Sequence, residues 1–281
     1  MRTIFFVFLM VVGLLPYSCV SESRSEKEVL TVSIAPLKKI VQSIVEHDFE
    51  IDVLVPAGVS PETFELTPRR FSALNQSKLI FSVGLIPFEQ SLLSKLSDQS
   101  EIVYLSQGIE LVKGACGHHH HEAVGVDPHV WTSPRALIQM AGNAYDAIHR
   151  LYPDSTRYSL NYKQLNEELW ALDRYVTHRL STQKRRCFII YHPALTYYAR
   201  DYSVEQIAIE KEGKEPSAKQ LARLIEQARR DSIKTIFYQS QLPHSSVEII
   251  ASDIDAEMVA VDPLKEDVLQ NIKDITDLIS E

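Results

Sequence analysis

The fold is decided by one stretch in the middle of the chain, residues 154–181, which reads DSTRYSLNYKQLNEELWALDRYVTHRLS and contains neither glycine nor proline. Its apolar residues recur at intervals of three or four: Tyr158, Tyr162, Leu165, Leu169, Leu172, Val176 and Leu180. This spacing predicts one amphipathic helix. At 1.5 Å per residue the helix would be about 40 Å long, the height of a domain. We therefore expect it to be a rigid connector between the regions on either side.

Both flanking regions alternate short apolar runs with helical patterns. The candidate strands are residues 29–35, 49–55, 79–83 and 102–105 before the long helix, and 186–191, 204–209, 233–238 and 258–261 after it. The candidate helices are 37–47, 68–76, 88–96, 135–151, 196–200, 217–230, 245–252 and 265–279. Such alternation predicts parallel sheets covered by helices on both faces. We predict an α/β fold of two lobes joined by the long helix, with the binding site in the cleft at the carboxyl ends of the strands.

The N-terminus has the form of a secretory signal. A positive start at Met1 and Arg2 precedes an apolar stretch, residues 4–15, which is too short for a mature membrane span. Cys19 after Ser18 suggests a bacterial lipoprotein with Cys19 acylated; the alternative is plain secretion with an incidental cysteine. We expect secretion across the inner membrane, with the protein in the periplasm or anchored by lipid to the cell envelope. The predicted division is signal peptide 1–18, tether 19–28, N-terminal lobe 29–152, connecting helix 153–182 and C-terminal lobe 183–281.

Charge and cysteine content narrow the class of protein. The formal net charge of the 281 residues is −8, which argues against nucleic acid as a partner. Beyond Cys19 only Cys116 and Cys187 remain, so a disulfide between them is conceivable but not indicated.

Two histidines indicate a metal site. His129 follows the Asp127-Pro128 turn, and His192 ends an apolar run and precedes Pro193. Neutral imidazole is the commonest metal ligand and must be aimed by its surroundings. Either histidine alone could be structural, but we interpret both as strand-end residues in matching contexts, which favours a metal site.

A run of four histidines lies between glycines: His118, His119, His120 and His121. Clustered histidines in a polar loop are typical of an auxiliary, weak metal-capture segment. The alternative is a solvated loop with no role in uptake.

The chain resembles the zinc- and manganese-type solute-binding lipoproteins of bacterial ABC importers, an adhesin-like family. The resemblance covers nearly the whole mature chain, in order. It is carried by residues 55–62 (VPAGVSPE) with Thr67-Pro68, 83–85 (VGL) with Glu89, 127–131 (DPHVW), 191–194 (YHPA) with Tyr197 and Tyr198, 213–219 (GKEPSAK) and 261–264 (VDPL).

The resemblance implies a function and a ligand set. It implies two α/β lobes on a long helix, a small hinge motion, and a monomer that is not an enzyme but binds zinc outside the cytoplasm and delivers it to a membrane permease. The family's ligand positions fall on Glu62, His129, His192 and Asp262. The family usually has histidine where Glu62 stands, although a glutamate oxygen also ligates zinc at about 2.0–2.2 Å. Glu62 could instead be a surface carboxylate, and Asp262 a turn residue. We expect Glu89 to be structural rather than a ligand.

The identity of the metal and rival functions stay open at this point. Two imidazoles with carboxylates suit Zn²⁺ but also Mn²⁺ or Fe²⁺. In the resembling family the manganese branch usually has glutamate where His192 stands and lacks a histidine loop, so zinc is favoured. The same residues could serve a secreted zinc hydrolase, but no HExxH helix or nucleophile elbow is present. A surface adhesin is the second rival.

Overall fold

The structure, a computed structural model, describes residues 27–93, 95–96, 101–113, 125–183, 186–211 and 213–281. The predicted lipidation at Cys19 and the four-histidine run, together with Cys116, lie outside the described residues. Within that part of the chain, none of the helices combines the length and the apolar character needed to cross a bilayer.

The N-terminal region forms a parallel sheet in the strand order β2-β1-β3-β4. Its strands are β1 (Val29–Val32), β2 (Glu50–Val53), β3 (Leu79–Ser82) and β4 (Glu101–Tyr104), and its helices are α1 (Ala35–Val45), α2 (Pro68–Leu74) and α3 (Pro87–Leu93). Two helices follow, α4 (Pro134–Leu151) and α5 (Thr156–Ser181). The hydroxyl of Ser155 accepts a hydrogen bond from the backbone N–H of Tyr158 and so caps α5.

The C-terminal region repeats the arrangement with strand order β6-β5-β7-β8, again all parallel. Its strands are β5 (Cys187–Ile190), β6 (Glu205–Ala208), β7 (Thr235–Tyr238) and β8 (Glu257–Ala260), and its helices are α6 (Thr196–Tyr202), α7 (Ala218–Arg230), α8 (Ser245–Ile254) and α9 (Val268–Ser280). Ser217 caps α7 in a capping box with Gln220. The predicted α/β fold with two parallel sheets and one long helix is confirmed.

Most strands are shorter than the apolar runs that predicted them. The run at 29–35, for example, yields a strand that ends at Val32, while Ile34 beyond it is fully buried. Burial continues past the end of the strand because the chain passes directly into α1, whose N-cap is Ile34. An apolar run in the sequence therefore predicts burial, whereas the ends of a strand are set by its hydrogen bonds to neighbouring strands.

Alternate residues of each sheet face different hydrophobic cores. In β5, Phe188 and Ile190 join the largest core and Ile189 faces a separate cluster under α7 and α8. In β3, Leu79 and Phe81 join the same largest core, and Ile80 faces a small cluster near α2 and α3. This period of two is what a strand buried on both faces requires. The two sheets thus share one core and each has a smaller one of its own.

The long helix α5 is packed on several sides and is more than a connector. Leu165, Leu169, Leu172, Val176 and Leu180 are buried in the shared core. On the C-terminal side α9 contributes Val268, Leu269, Ile272 and Ile275 to the same core. Besides the small core of each sheet, the lobes are joined by the shared core, in which α1, α5 and α9 pack together. The division of the chain at residues 152 and 182 stays a prediction.

Candidate metal site

The carboxyl ends of the C-terminal strands place polar side chains at one edge of the sheet. His192 and Glu210 follow the neighbouring strands β5 and β6, Gln239 follows β7 and Asp262 follows β8. Parallel strands end at the same edge, so side chains distant in sequence meet there.

His192 is held in place through its ring and its backbone. Its Nδ1 lies 2.6 Å from Oε1 of Glu210. Its backbone N–H donates to Oε1 of Gln239 (3.3 Å), and its carbonyl accepts from Nε2 of the same amide (3.1 Å). The carboxylate of Glu210 is an acceptor, so the proton of a neutral His192 ring lies on Nδ1 and its Nε2 carries a lone pair.

His129 is positioned by its own loop and not by a strand. Oδ1 of Asp127 accepts from the backbone N–H of His129 and lies 2.9 Å from its Nδ1. A 3₁₀ turn, Val130–Thr132, follows directly, and the Thr132 hydroxyl donates to the carbonyl of His129 (2.8 Å). The sequence interpretation of His129 as a strand-end residue was therefore wrong. An Asp-Pro turn leading into a helix presents the imidazole instead.

Three ligand-type atoms converge in the cleft. Nε2 of His192 lies 3.3 Å from Nε2 of His129 and 3.3 Å from Oε1 of Glu62. Within the part of the chain that the structure describes, these three residues form the one group whose ligand atoms all lie within 4.8 Å of one another. Because both Nδ1 atoms face carboxylates, two lone pairs and a carboxylate oxygen point at the same place. Such an arrangement is unfavourable unless a cation lies between them.

The spacing of these atoms fits a tetrahedral metal ion. Zinc binds imidazole nitrogen at about 2.0–2.1 Å and is almost always tetrahedral in closed sites, which puts neighbouring ligand atoms about 3.3 Å apart. The corresponding edge of an octahedron with the same bond lengths is about 2.9 Å. The two distances from Nε2 of His192, each 3.3 Å, are close to the tetrahedral value.

The ionisation of the surrounding groups favours a cation. Burial alone would lower the pKa of His192, but the hydrogen bond to Glu210 and the negative charge of Glu62 outweigh it, so this pKa is raised above the ordinary value. Burial would raise the pKa of Asp127, but the charge of His129 and its hydrogen bonds outweigh burial and lower it. The carboxylates around His192 therefore stabilise positive charge on its ring.

The remaining predicted residues occupy different places. Asp262 lines the same cleft but is not one of the three converging groups; its Oδ1 accepts from the backbone N–H of Leu264 at 2.9 Å. Glu89 is buried and accepts from the backbone N–H groups of Val83 (2.9 Å), Gly84 (2.8 Å) and Ile86 (3.1 Å). It fixes the loop after β3, in accordance with the structural role expected for it.

The cavity at the site is small and mostly apolar in lining. Its volume is about 60 Å³. Besides the three converging residues and Asp262, the cleft is lined by Ser60, Pro61, Ile86, Pro128, Trp131, Ala194, Gln239, Gln241, Leu242, Pro263 and Leu264. A water molecule occupies about 30 Å³ of liquid, whereas pockets for organic ligands hold about 300–1,000 Å³. The space beside the converging atoms is therefore sufficient for an ion with a few waters.

Sequence reasoning missed the groups that orient the histidines. Asp127 was recognised only as part of a turn, and Glu210 and Gln239 were not singled out. A usable signal existed for Glu210, because it follows an apolar run that a parallel sheet places beside the strand ending at His192. The same signal existed for Gln239, which directly follows the apolar run 233–238 on the other side of β5.

The fold and the site define a two-lobed α/β protein whose cleft brings together three groups that could hold a metal ion. The family model described as "Zinc-uptake complex component A periplasmic" matches residues 30–281, so the chain belongs to this family. It is 25% identical over 258 residues to the high-affinity zinc uptake system protein ZnuA of Bacillus subtilis, covering 87% of this chain and 81% of that protein.

Further relatives and a solved structure show the same likeness. The chain is 25% identical over 252 residues to the zinc-binding protein AdcA of Streptococcus pyogenes, covering 82% of this chain and 49% of AdcA. The chain thus spans only about half the length of AdcA. A crystal structure of ZnuA superposes with a TM-score of 0.83 at 32% identity, covering 90% of this chain and 98% of that one.

Proposed function

We propose that this protein is the extracytoplasmic zinc-binding component of an ABC metal importer, which captures Zn²⁺ and delivers it to a membrane permease. The observation that carries the proposal is the convergence of three ligand-type groups, in which Nε2 of His192 lies 3.3 Å from both Nε2 of His129 and Oε1 of Glu62, close to the edge length of a zinc tetrahedron. The names of its relatives, a zinc uptake protein and a zinc-binding protein, support the same metal.

The ligands in this proposal are Glu62, His129 and His192, with Asp262 or a water in the fourth position. Asp262 lines the cleft, and its carboxylate is held by Leu264 at the wall. The second candidate metal is Mn²⁺, with Fe²⁺ behind it, because two imidazoles and one or two carboxylates also suit these ions. The tetrahedral spacing favours zinc over ions that prefer six ligands.

A transport role fits this cavity better than hydrolysis. A hydrolase needs space for its substrate beside the metal-bound water, together with groups that act as general base and stabilise the transition state. The cavity of about 60 Å³ is much smaller than the pockets that hold organic ligands, and most of its other walls are apolar. We therefore propose a binding role without catalysis, performed by a monomer.

The cell-surface part of the proposal rests on the N-terminal sequence. Acylation of Cys19 would anchor the protein to the envelope, with residues 20–28 as a tether, and secretion would place it in the periplasm or at the surface. Cys19→Ala should release the protein from the membrane fraction or leave it unprocessed. Unchanged detergent partitioning would mean that Cys19 is not lipidated.

The metal assignment is tested by native mass spectrometry of the protein without residues 1–18, before and after removal of metal. We expect one zinc to survive dialysis and to be retained in the presence of excess Mn²⁺. Preferential retention of Mn²⁺ would overturn the zinc assignment, and the absence of any tightly held ion would overturn the function. Hydrolysis of generic ester or peptide substrates by the zinc-loaded protein would support the enzyme alternative.

A further inference from the structure

One short helix of the C-terminal half contacts the segment that supports His129. From α6 the guanidinium of Arg200 donates to the carbonyl of Glu110 (2.6 Å) and lies over the Tyr197 ring, 5.0 Å from its centroid. Tyr197 itself is fully buried. The hydrogen bond from Arg200 attaches α6 to Glu110, a residue of the N-terminal half that is distant in sequence.

The hydroxyl of Tyr197 bridges two adjacent segments of that half. It donates to the backbone carbonyl of Asp127 at 2.7 Å and accepts from the backbone N–H of Val112 at 3.2 Å. The N–H of Asp127 in turn donates to the carbonyl of Val112 at 3.0 Å. Asp127 is thus fixed by its own N–H, by the Tyr197 hydroxyl and by the two contacts of its carboxylate with His129.

The same helix is joined to the loop that carries His192. The chain passes from His192 through Pro193 and Ala194 to α6, and the Thr196 hydroxyl donates to the carbonyl of Pro193 at 3.1 Å. The backbone N–H of Leu195 donates to Oε1 of Gln206 at 2.7 Å, which ties the start of the helix to β6. Both histidine loops are therefore attached to α6, one through covalent bonds and the other through Tyr197.

We propose that Tyr197 is a positioning residue, which acts through Asp127 to hold Nε2 of His129 at the zinc-binding distance from Nε2 of His192 before the ion arrives. The proposal rests on the proposed function, since it concerns the same site. Partners that orient a metal-bound histidine change metal affinity by about 10–100-fold. Tyr197 lies one contact further out, so loss of its hydroxyl should lower zinc affinity by about 10-fold, near the lower end of that range.

The neighbouring residue offers a matched control. Tyr198 is also buried, and its hydroxyl lies 2.9 Å from that of Thr276 in α9, away from both histidine loops. Tyr197→Phe and Tyr198→Phe each remove one buried hydroxyl from the same helix. A purely structural role for Tyr197 would give both variants the same loss of melting temperature and the same zinc affinity as the wild type.

The experiment measures zinc affinity by chelator competition and the state of the His129 ring by ¹⁵N NMR of the metal-free protein. In Tyr197→Phe we expect the 10-fold loss of affinity, an altered Nδ1 signal of His129 and a changed d–d absorption spectrum with Co²⁺. In Tyr198→Phe we expect all three readouts to match the wild type. Equal zinc affinity and equal His129 signals in the two variants would overturn the proposal.

Two further arms keep the test decisive. If Tyr197→Phe does not fold, Thr196→Val replaces it, because the Thr196 side chain interacts with the Asp127 carboxylate, whereas the Tyr197 hydroxyl contacts the Asp127 carbonyl; an unchanged His129 signal there would count against the positioning of Asp127 by α6. If the wild type holds no zinc, the proposed function fails. The NMR measurement on metal-free protein still decides whether Tyr197 positions His129.

Discussion

The two sheets have the same strand order, yet they contribute to the site in different ways. In the C-terminal sheet the second residue after β5, β6 and β8 is His192, Glu210 and Asp262 respectively, and Gln239 is the first residue after β7. In the N-terminal sheet the second residues after the four strands are Ile34, Val55, Gly84 and Ser106. One sheet builds the site at its edge, and the other reaches it only through loops.

This difference separates a fixed side of the site from an adjustable one. The position of His192 follows from the register of β5 with β6 and β7, so it cannot shift without breaking the ladder. Glu62 lies in the irregular segment between β2 and α2, and its side chain is 22% exposed, against 9% for that of His192. In the family that the chain resembles, histidine usually stands at the position of Glu62. The identity of the residue at this position therefore varies, in agreement with an adjustable side.

The largest effect is expected from removing the ligand at the fixed edge. His192→Ala should lower zinc affinity by more than about 100-fold, because even the partners of metal-bound histidines are worth about 10–100-fold. His129→Ala should do the same, and chelator competition measures both. His244→Ala is the control, since this exposed histidine precedes α8 outside the site. Tight zinc binding by His192→Ala would show that the edge of the C-terminal sheet does not supply an essential ligand.

The carboxylates behind the histidines should have the next largest effect. Glu210→Gln acts at the strand edge and Asp127→Asn in the loop, and each should lower zinc affinity by about 10-fold or more, because a neutral amide is a weaker acceptor from the imidazole N–H. Glu168→Gln is the control for the lost charge, because Glu168 is an exposed residue of α5. Isothermal titration compares the three variants. A loss in Glu210→Gln no greater than in the control would show that the edge does not orient His192.

Replacing Glu62, on the adjustable side of the site, with histidine should alter the pH dependence of zinc binding more than the zinc affinity at pH 7.5. Glu62→His should keep a tight zinc site, and Glu62→Ala should weaken it. Carboxylates are ionised between pH 5.5 and 7.5, whereas imidazoles with a pKa near 6.5 gain a proton towards the lower end and must lose it to bind metal. The wild type should therefore hold zinc better than Glu62→His at pH 5.5, with the difference closing towards pH 7.5. Parallel pH profiles in zinc titrations would remove Glu62 from the ligand set.

The smallest effect on tight binding is expected from the histidine run. Replacing His118, His119, His120 and His121 by serine should reduce the number of weakly bound zinc ions, because clustered imidazoles are the groups that bind them. The single tight site should keep its affinity. Equilibrium dialysis at high and low zinc concentration measures the two classes of site. Loss of the tight ion in this variant would mean that the ligand assignment in the cleft is wrong.

Periodicity and turn residues predicted the fold, because each strand and helix is coded locally. The stripe from Tyr158 to Leu180 and the N-cap at Ser217 needed no knowledge of the partners they contact. The orienting groups depend on tertiary contacts: Glu210 meets His192 only because β6 pairs with β5, and Tyr197 meets Asp127 only because α6 packs across the halves. His129 was assigned to a strand end since a turn before a helix and a turn after a strand share the same residues.

The hydrophobic core that the two lobes share opposes their separation. A hinge motion that pulled α1 or α9 away from α5 would expose apolar side chains at a cost of about 25 cal/mol per Å². Exposing roughly 200 Å² would cost about 5 kcal/mol, so the open form would be about one molecule in several thousand. Exchange through so rare a population would be slow. We therefore expect the ion to enter and leave mainly through local movement of the segment between β2 and α2, with the lobes remaining together.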